Sequence, residues 1–252
     1  FQRQFGVDDL GFYDIGEPLP PPASSKPMSE MMTLDSEVGI SDLEDFLINN
    51  YPRRVEEAPY FRGGEREALE RLSRKVSGER DYVNGFRKPR TSSTNLDEDP
   101  REPSTTGLSP YLSTGCLSIR MMWSECKKSY LMGEHTQPPE SLHGQMMFRE
   151  MFYLLSRSVV NWDQSTGNDN CKDIDWGEYD SELVGCWEAG MTGYPYIDAM
   201  MRQLEETGWM HHLGRHAVSC FLTRGQLWQS WTAGRDVFES KLLDSDWAIN
   251  NG

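Results

Sequence analysis

The residues best suited to acid–base chemistry are three histidines that fall within six positions of the chain, His211, His212 and His216. In a helix, His212 and His216 share a face because they lie four residues apart, and Arg215 projects close beside them. Histidine titrates near neutral pH, and the arginine adds a fixed cation, so the stretch suits proton transfer or anion binding better than packing. A zinc site is not expected. The stretch lacks the Glu of the His-Glu-x-x-His motif, and Arg215 would place a cation beside the metal.

Two other segments place polar side chains where they could hold a ligand. Gln145 and Arg149 lie four residues apart on one face of an otherwise apolar predicted helix. That face fits either a half-exposed edge or a contact to an anionic or heterocyclic ligand. Thr105, Thr106 and Ser109 come just before another predicted helix. Hydroxyl and N–H groups at such a junction fit either phosphate binding or an ordinary N-cap.

Two carboxylates near the end of the chain, Asp244 and Asp246, are followed by two amides. The calcium-loop spacing and its bidentate Glu are missing from this stretch, so a calcium site is not predicted. Asp244 is instead expected to pair with Arg215 or with Arg224, because a buried cation requires a counter-charge.

The elements that must position these residues are helices. With Gly208 and Gly225 as helix ends, apolar residues at helical spacing predict helices over residues 65–76, 116–131, 141–157, 195–207, 210–223 and 234–243. A short helix is predicted over residues 41–48, where Ser41 and Glu44 form a capping box, and a polar loop over residues 88–106. No strand-period alternation of any length is present, so the predicted fold class is mainly α.

Composition limits the class of protein. A net charge of −15 over 252 residues opposes nucleic-acid binding unless a local basic surface overrides it. The five cysteines never form a Cys-x-x-Cys pair, which favours a reducing compartment, nucleus or cytoplasm, over a disulfide framework. No run approaches the roughly 18 apolar residues of a membrane span, so no membrane partner is predicted.

Residues 1–62 are acidic and proline-containing, and are predicted to be an extended connector before a helical domain over residues 63–252.

Together these segments resemble the cryptochrome/photolyase family, in its animal cryptochrome and (6-4) photolyase branch. The resemblance runs from about residue 63 to the end and rests on five blocks in the family's order, Thr105–Leu112 with Gly115–Ser118, Gly144–Phe152, Thr192–Ala199, Gly208–His216 and Leu242–Gly252. It implies the helical FAD-binding domain of that fold, incomplete at its C-terminus, in an internal fragment. The family's N-terminal α/β antenna domain, which can hold a folate or deazaflavin pigment, is expected to be absent from this chain.

The resemblance also implies roles for individual positions. The residues that match family contacts to FAD are Thr105, Thr106, Ser109, Gln145, Arg149, His212, Arg215, Asp244, Ser245, Asp246 and Asn250. Ser109 matches the hydroxyl at the flavin phosphate, and Asn250 the residue that faces flavin N5. Arg215 matches the partner of Asp244 beside the isoalloxazine ring.

The family also moves an electron to its photoexcited flavin along three tryptophans. Trp231 matches the middle tryptophan of this electron-transfer series, and Trp176 matches the outer one. The inner member would follow Gly252.

The resemblance leaves open whether the protein senses light or repairs DNA. In (6-4) photolyases, the histidines that match His212 and His216 take part in proton transfer to the flipped-out lesion, so both would be catalytic in that case. Phe148 stands where the family usually has the tryptophan that stacks on the base. Gly214 replaces the family's usual Ala and weakens the helix by about 1 kcal/mol.

These departures and the negative charge favour a cryptochrome-type, FAD-binding blue-light photoreceptor in circadian or light signalling, with clock or signalling proteins as partners. An alternative is a (6-4) DNA photolyase, a lyase that acts on UV-damaged DNA. A second alternative is a light-independent transcriptional repressor of the circadian clock, which would work as a binding module.

Overall fold

The computed structural model describes residues 60–88 and 102–251, and these residues fold into helices without a β-strand. The α-helices are α1 (Glu65–Leu72), α2 (Arg80–Gly85), α3 (Ser109–Ser113), α4 (Ile119–Tyr130), α5 (Leu142–Ser158), α6 (Ser181–Glu188), α7 (Pro195–Thr207), α8 (His212–Cys220), α9 (Trp231–Lys241) and α10 (Trp247–Asn250). Two of them continue into a π-helical turn, α1 through Ser73–Ser77 and α8 through Phe221–Gly225. Within the described ranges, no helix is both long and apolar enough to cross a membrane.

Polar side chains fix the starts of the helices that carry the candidate site. Ser141 Oγ accepts a hydrogen bond from the Gly144 N–H at 3.2 Å before α5, and Asp246 Oδ1 accepts from the first N–H groups of α10. The helix α8 begins with a histidine, because His211 Nδ1 accepts from the Leu213 N–H at 3.2 Å. Such caps satisfy N–H groups that a helix leaves without an internal partner.

The main apolar core joins α6, α7, α8 and α9. Trp187 is fully buried in it, and its Nε1–H donates to the Val218 carbonyl oxygen at 3.0 Å. The other buried members are Val184, Ile197, Met201, Leu204, Met210, Leu222, Val237 and Leu242. Full burial of one such aliphatic side chain contributes about 2 kcal/mol. This core therefore fixes the orientation of α8, which carries the predicted histidines and Arg215.

A second set of contacts orients α5. Its residue His143 stacks on Trp123 of α4, with ring centroids 3.6 Å apart, and His143 Nε2 lies 3.1 Å from the Trp123 carbonyl oxygen. Beyond the other end of α5, Trp162 Nε1–H donates to the Ala248 carbonyl oxygen of α10 at 2.9 Å. The polar face of α5 is thereby held beside α10.

The mainly α class is confirmed, and most predicted helices are present with shifted ends. The predicted helix over 195–207 has the bounds of α7, which ends at Gly208 with a left-handed φ of 67°. The bounds predicted for 234–243 are wrong. Ser230 Oγ accepts from the Thr232 N–H and starts α9 at Trp231, and extended backbone at Leu242 ends it.

The predicted helix over 210–223 also needs correction. Because His211 is the cap, α8 begins at His212, and a non-helical ψ of −111° at Thr223 interrupts its π-helical continuation. The prediction missed α6 and the short helices α2, α3 and α10. In the predicted polar loop, the described residues 88 and 102–106 belong to no helix or strand, although Glu102 and Thr106 are buried. The predicted helix over 41–48 and residues 1–59 of the predicted connector lie outside the described residues.

Candidate functional site

Six segments of the helical domain line a cavity of about 370 Å³. They are residues 86–88, the segment that leads into and includes α3, the start of α4, the first turns of α5, the stretch Trp209–Arg215 and the region Asp244–Asn250. Ten of the predicted cofactor contacts line the cavity, namely Thr105, Thr106, Ser109, Gln145, Arg149, His212, Arg215, Asp244, Asp246 and Asn250. A concave site of this volume with convergent polar groups suits a small molecule.

An ion pair forms one corner of the cavity. Arg215 Nη2 donates to Asp244 Oδ2 at 2.9 Å, and Arg215 Nε donates to the Met210 carbonyl oxygen at 2.8 Å. The predicted pairing of Arg215 with Asp244 is therefore present. Asp244 exposes 5% of its side chain, and its second oxygen, Oδ1, is buried without a hydrogen-bond partner among the described residues. A buried carboxylate oxygen in a ligand-sized cavity requires a donor, so this corner suits a ligand with an N–H or O–H group.

Two neutral histidines lie next to the ion pair. Lys88 Nζ is 2.9 Å from His212 Nδ1, and because an ammonium group only donates, the neutral His212 ring carries its proton on Nε2. Burial, together with the charge of Lys88, lowers the pKa of His212 to about 4. Burial, followed by the charges of Lys88 and Arg215, also lowers the pKa of His211 to about 4. At neutral pH the described lining therefore contains the cations of Lys88, Arg149 and Arg215 but no imidazolium.

The second carboxylate of the cavity, Asp246, is held from two sides. Its Oδ1 accepts from the N–H groups of Ala248 and Ile249 at 3.0 and 3.3 Å, and its Oδ2 accepts from the Tyr153 hydroxyl. The Tyr153 hydroxyl in turn accepts from Arg149 Nη2 at 3.1 Å. Burial and the hydrogen bond to Asp246 raise the pKa of Tyr153 to about 12, so the phenol stays protonated and continues to donate. These bonds fix the orientation of a carboxylate that faces the cavity.

The wall on the α5 side depends on a close backbone contact. Gln145 Nε2 donates to the Pro139 carbonyl oxygen at 3.0 Å, and this turns the Gln145 amide along the cavity edge. A Cβ on Gly144 would lie 2.1 Å from the same carbonyl oxygen, so only glycine permits this approach.

The remaining predicted site residues lie outside the cavity lining. Ser245 does not line it, but its Oγ accepts from Asn250 Nδ2 at 2.9 Å and so orients a lining residue. His216 is exposed, and His212 is the only one of the two predicted catalytic histidines that lines the cavity. Trp231 and Trp176 are half-buried, and neither lines the cavity.

Three polar residues of the cavity region were not predicted. Lys88 and Tyr153 contact site residues that lie 124 and 93 positions away in the sequence. His211 was noticed only as part of the histidine cluster, although it caps α8. Tyr153 lies four residues after Arg149 on the same helix, and this spacing was the one available signal. Among the described residues, no group of three or more His, Cys, Asp or Glu side chains could hold a metal ion.

The comparisons with known proteins agree with this geometry. Residues 141–252 match the family described as the FAD binding domain of DNA photolyase. A (6-4)DNA photolyase of Arabidopsis thaliana is 50% identical over 196 residues, which are 76% of this chain and 34% of the relative. Cryptochrome-1 of Gallus gallus is 42% identical over 221 residues, 86% of this chain and 34% of the relative. The chain thus spans about a third of the length of these relatives.

Solved structures show the same fold. A Synechocystis cryptochrome superposes with a TM-score of 0.66 at 28% identity, over 81% of this chain and 41% of that structure. An archaeal photolyase from Sulfolobus tokodaii, solved with two FAD molecules, superposes with a TM-score of 0.56 at 30% identity, over 82% of this chain and 41% of that structure. Asp244 Oδ1, which has no partner within the described ranges, and the cations at Arg215 and Lys88 fit a flavin nucleotide, which offers an N–H donor and carries negative charge. The chain belongs to the DNA photolyase/cryptochrome family and carries its FAD-binding domain.

Proposed function

We propose that the protein is an FAD-binding blue-light photoreceptor of the cryptochrome type, which acts in circadian or light signalling through protein partners. The observation that carries the cofactor assignment is the Arg215–Asp244 pair at the cavity, in which Asp244 Oδ1 is buried and has no hydrogen-bond partner among the described residues. When bound, FAD supplies visible-light absorption and one-electron chemistry.

The residues of the cavity provide the polar surroundings of the flavin. Asp244 Oδ1 would accept a hydrogen bond from a flavin N–H, and the Arg215 guanidinium would stabilise negative charge on the ring. Asp246, whose orientation is fixed by Tyr153, provides a second acceptor. Asn250, oriented by Ser245, presents an amide to the same space. Ser109, with Thr105 and Thr106, would hold the phosphate side of the cofactor with hydroxyl groups.

The arrangement of the histidines supports sensing over repair. Proton transfer to a DNA lesion by a histidine pair requires both imidazoles near the reacting base, one of them protonated. Here, His212 lines the cavity but is neutral at physiological pH, and His216 is exposed outside the lining. The net charge of −15 also opposes tight binding to a DNA backbone.

A second candidate function is (6-4) DNA photolyase activity. The specific observation in its favour is the 50% identity to a relative of that name, against 42–46% for relatives named cryptochrome-1. Lys88 adds a cation at the cavity beside His212, which would suit a phosphate or a damaged base.

One experiment separates these functions. The purified full-length protein, with its flavin reduced, is incubated with DNA that contains a (6-4) lesion, under blue light and in the dark. The photoreceptor proposal predicts bound flavin with a light-dependent absorbance change and no loss of lesion. Light-dependent lesion loss that disappears in His216→Ala would replace the proposal with the photolyase function. Full-length protein that folds but carries no flavin would contradict both and leave the repressor, which binds its partners in the dark.

A further inference from the structure

A buried ion cluster lies behind the part of the cavity wall that leads into α3. Arg71 of α1 exposes 4% of its side chain and Glu102 exposes 9%, and Arg71 Nη2 donates to Glu102 Oε1 at 2.8 Å. Lys75 Nζ is 2.8 Å from the same oxygen. Neither Arg71 nor Glu102 lines the cavity. Ionic groups this deeply buried are costly unless their partners hold them in good geometry, so the cluster fixes the segment that starts at Glu102.

Arg71 also holds the backbone of the wall directly. Its Nε–H donates to the Thr106 carbonyl oxygen at 2.9 Å, and Thr106 lines the cavity. The next residue, Gly107, has a φ of +60°, and a Cβ there would lie 2.4 Å from Arg71 Nη2. Glycine therefore lets the backbone close onto the guanidinium. The planar guanidinium bonds to Glu102 and to Thr106 at once, a geometry that a lysine does not provide.

The guanidinium is fixed from its other side by two rings. The Arg71 Cζ lies 5.6 Å from the centroid of Tyr60 and 5.3 Å from that of Phe61. The Phe61 centroid is 6.3 Å from that of Trp209, which lines the cavity. Arg71 thus contacts the backbone of one wall segment and, through Phe61, the side chain of another.

We propose that Arg71 and Glu102 are positioning residues for FAD, which hold residues 105–107 in the shape that binds the phosphate side of the cofactor. The proposal rests on the proposed function only in that the cavity holds FAD with its phosphates at this wall. Loss of either residue moves the Thr106 carbonyl and the hydroxyls of Thr105 and Thr106, while the Arg215–Asp244 corner keeps its geometry. The effect is therefore selective for a ligand that carries the phosphates.

The test compares FAD with riboflavin, which has the isoalloxazine ring but no phosphate or adenine. Dissociation constants for both are measured by fluorescence titration of the full-length protein in wild type, Arg71→Met and Glu102→Gln. The matched control is Arg66→Met on the same helix, where the Arg66–Glu70 pair is exposed. If the two residues position the wall, Arg71→Met should raise the FAD dissociation constant about tenfold, the equivalent of one charged hydrogen bond. Glu102→Gln should raise it about threefold. Riboflavin affinity and the control stay at the wild-type level.

Each other outcome has a distinct meaning. Equal loss of FAD and riboflavin affinity would show a general structural role and overturn the proposal, as would unchanged FAD affinity in both variants. If Arg71→Met does not fold, Glu102→Gln decides, because its side chain has nearly the same shape and keeps an acceptor oxygen for Arg71. If wild-type protein binds no FAD, the proposed function itself fails, which is distinguishable from failure of the variants alone.

Discussion

Two arginine–carboxylate pairs lie in and behind the wall of the same cavity, and they differ in how fully the carboxylate is satisfied. In the Arg71–Glu102 pair, one carboxylate oxygen accepts from two cations, Arg71 and Lys75, and the guanidinium also bonds to backbone. In the Arg215–Asp244 pair, one carboxylate oxygen is buried without a partner in the described part of the chain.

The difference separates a structural ion pair, Arg71–Glu102, from an open pair, Arg215–Asp244, in which one carboxylate oxygen still lacks a hydrogen-bond donor. A buried pair that satisfies itself stabilises a fixed geometry, whereas an unsatisfied oxygen costs free energy until a ligand donates to it. The same contrast appears in the cations. Arg71 exposes 4% of its side chain, and Arg215, which lines the cavity, exposes 26%.

The largest expected effect concerns stability. Arg71→Met leaves Glu102 buried with one cation instead of two and should lower the free energy of unfolding by about 3–5 kcal/mol. Arg215→Met leaves Asp244 beside a cavity that admits water and should cost about 1–2 kcal/mol. Urea unfolding of the flavin-free proteins measures both values. Equal losses in the two variants would remove the distinction between the pairs.

A smaller effect is expected from Gly107→Ala. A left-handed φ costs a non-glycine residue about 1–2 kcal/mol, and the new Cβ would also meet Arg71. Both costs fall on the wall that we propose holds the phosphates, so FAD affinity should decrease together with the melting temperature. Gly115→Ala is the matched control, because Gly115 also has a positive φ, of +76°, but has open space around its Cβ position. Equal behaviour of the two alanine variants would mean that the contact with Arg71 contributes nothing.

The open pair lies beside histidines whose titration gives a pH dependence. The pKa values of His211 and His212 are lowered from 6.5 to about 4 in the folded protein, so the unfolded chain binds more protons between these values. The contribution of these two histidines to stability should therefore be fully present above pH 6.5 and fall as the pH decreases toward 4.

Unfolding free energies measured across this pH range test the effect of the histidines. The double variant His211→Asn with His212→Asn should flatten the profile, because Asn keeps a cap for α8 but does not titrate. Lys88→Met should raise the pKa of His212, observed by NMR of the ring, since one nearby cation is removed. A profile that keeps its slope in the double variant would assign the pH dependence to other groups.

The smallest effect is expected at Gly214, next to the open pair. A Cβ there would lie 2.8 Å from Met200 Sδ and 2.9 Å from Met210 Cγ, so two flexible side chains occupy the space of the missing methyl group. The gain in helix propensity and the cost of moving the methionines should leave Gly214→Ala within about 1 kcal/mol of wild type. Thermal unfolding checks this value. A loss of several kcal/mol would show that Met200 and Met210 do not move.

The sequence predicted helices where apolar spacing and caps act over short distances. The helix α7 has its predicted bounds because Pro195 and Gly208 mark its ends locally. The helix α6 was missed because only Val184 and Trp187 of its eight residues are buried, too few to give a pattern.

The candidate site was predicted mainly through the resemblance, and the long-range contacts were not. The pairing of Arg215 with Asp244 could be proposed because burial requires a counter-charge. The contact of Lys88 with His212 and that of Arg71 with Thr106 span 124 and 35 residues, and no local spacing indicates them. That Asp244 Oδ1 has no partner in the described part of the chain likewise becomes visible only once the fold is assembled.

The most direct test of the FAD site is the FAD dissociation constant of Asp244→Asn, measured by fluorescence titration beside wild type and Asp236→Asn. Asp236 is an exposed carboxylate in a surface ion pair and provides the matched control. If Asp244 Oδ1 accepts from bound flavin, Asp244→Asn should weaken FAD binding by about 2 kcal/mol, which raises the dissociation constant roughly thirtyfold. Asp236→Asn should bind FAD as wild type does. An unchanged dissociation constant in a folded Asp244→Asn protein would show that FAD does not use this corner of the cavity.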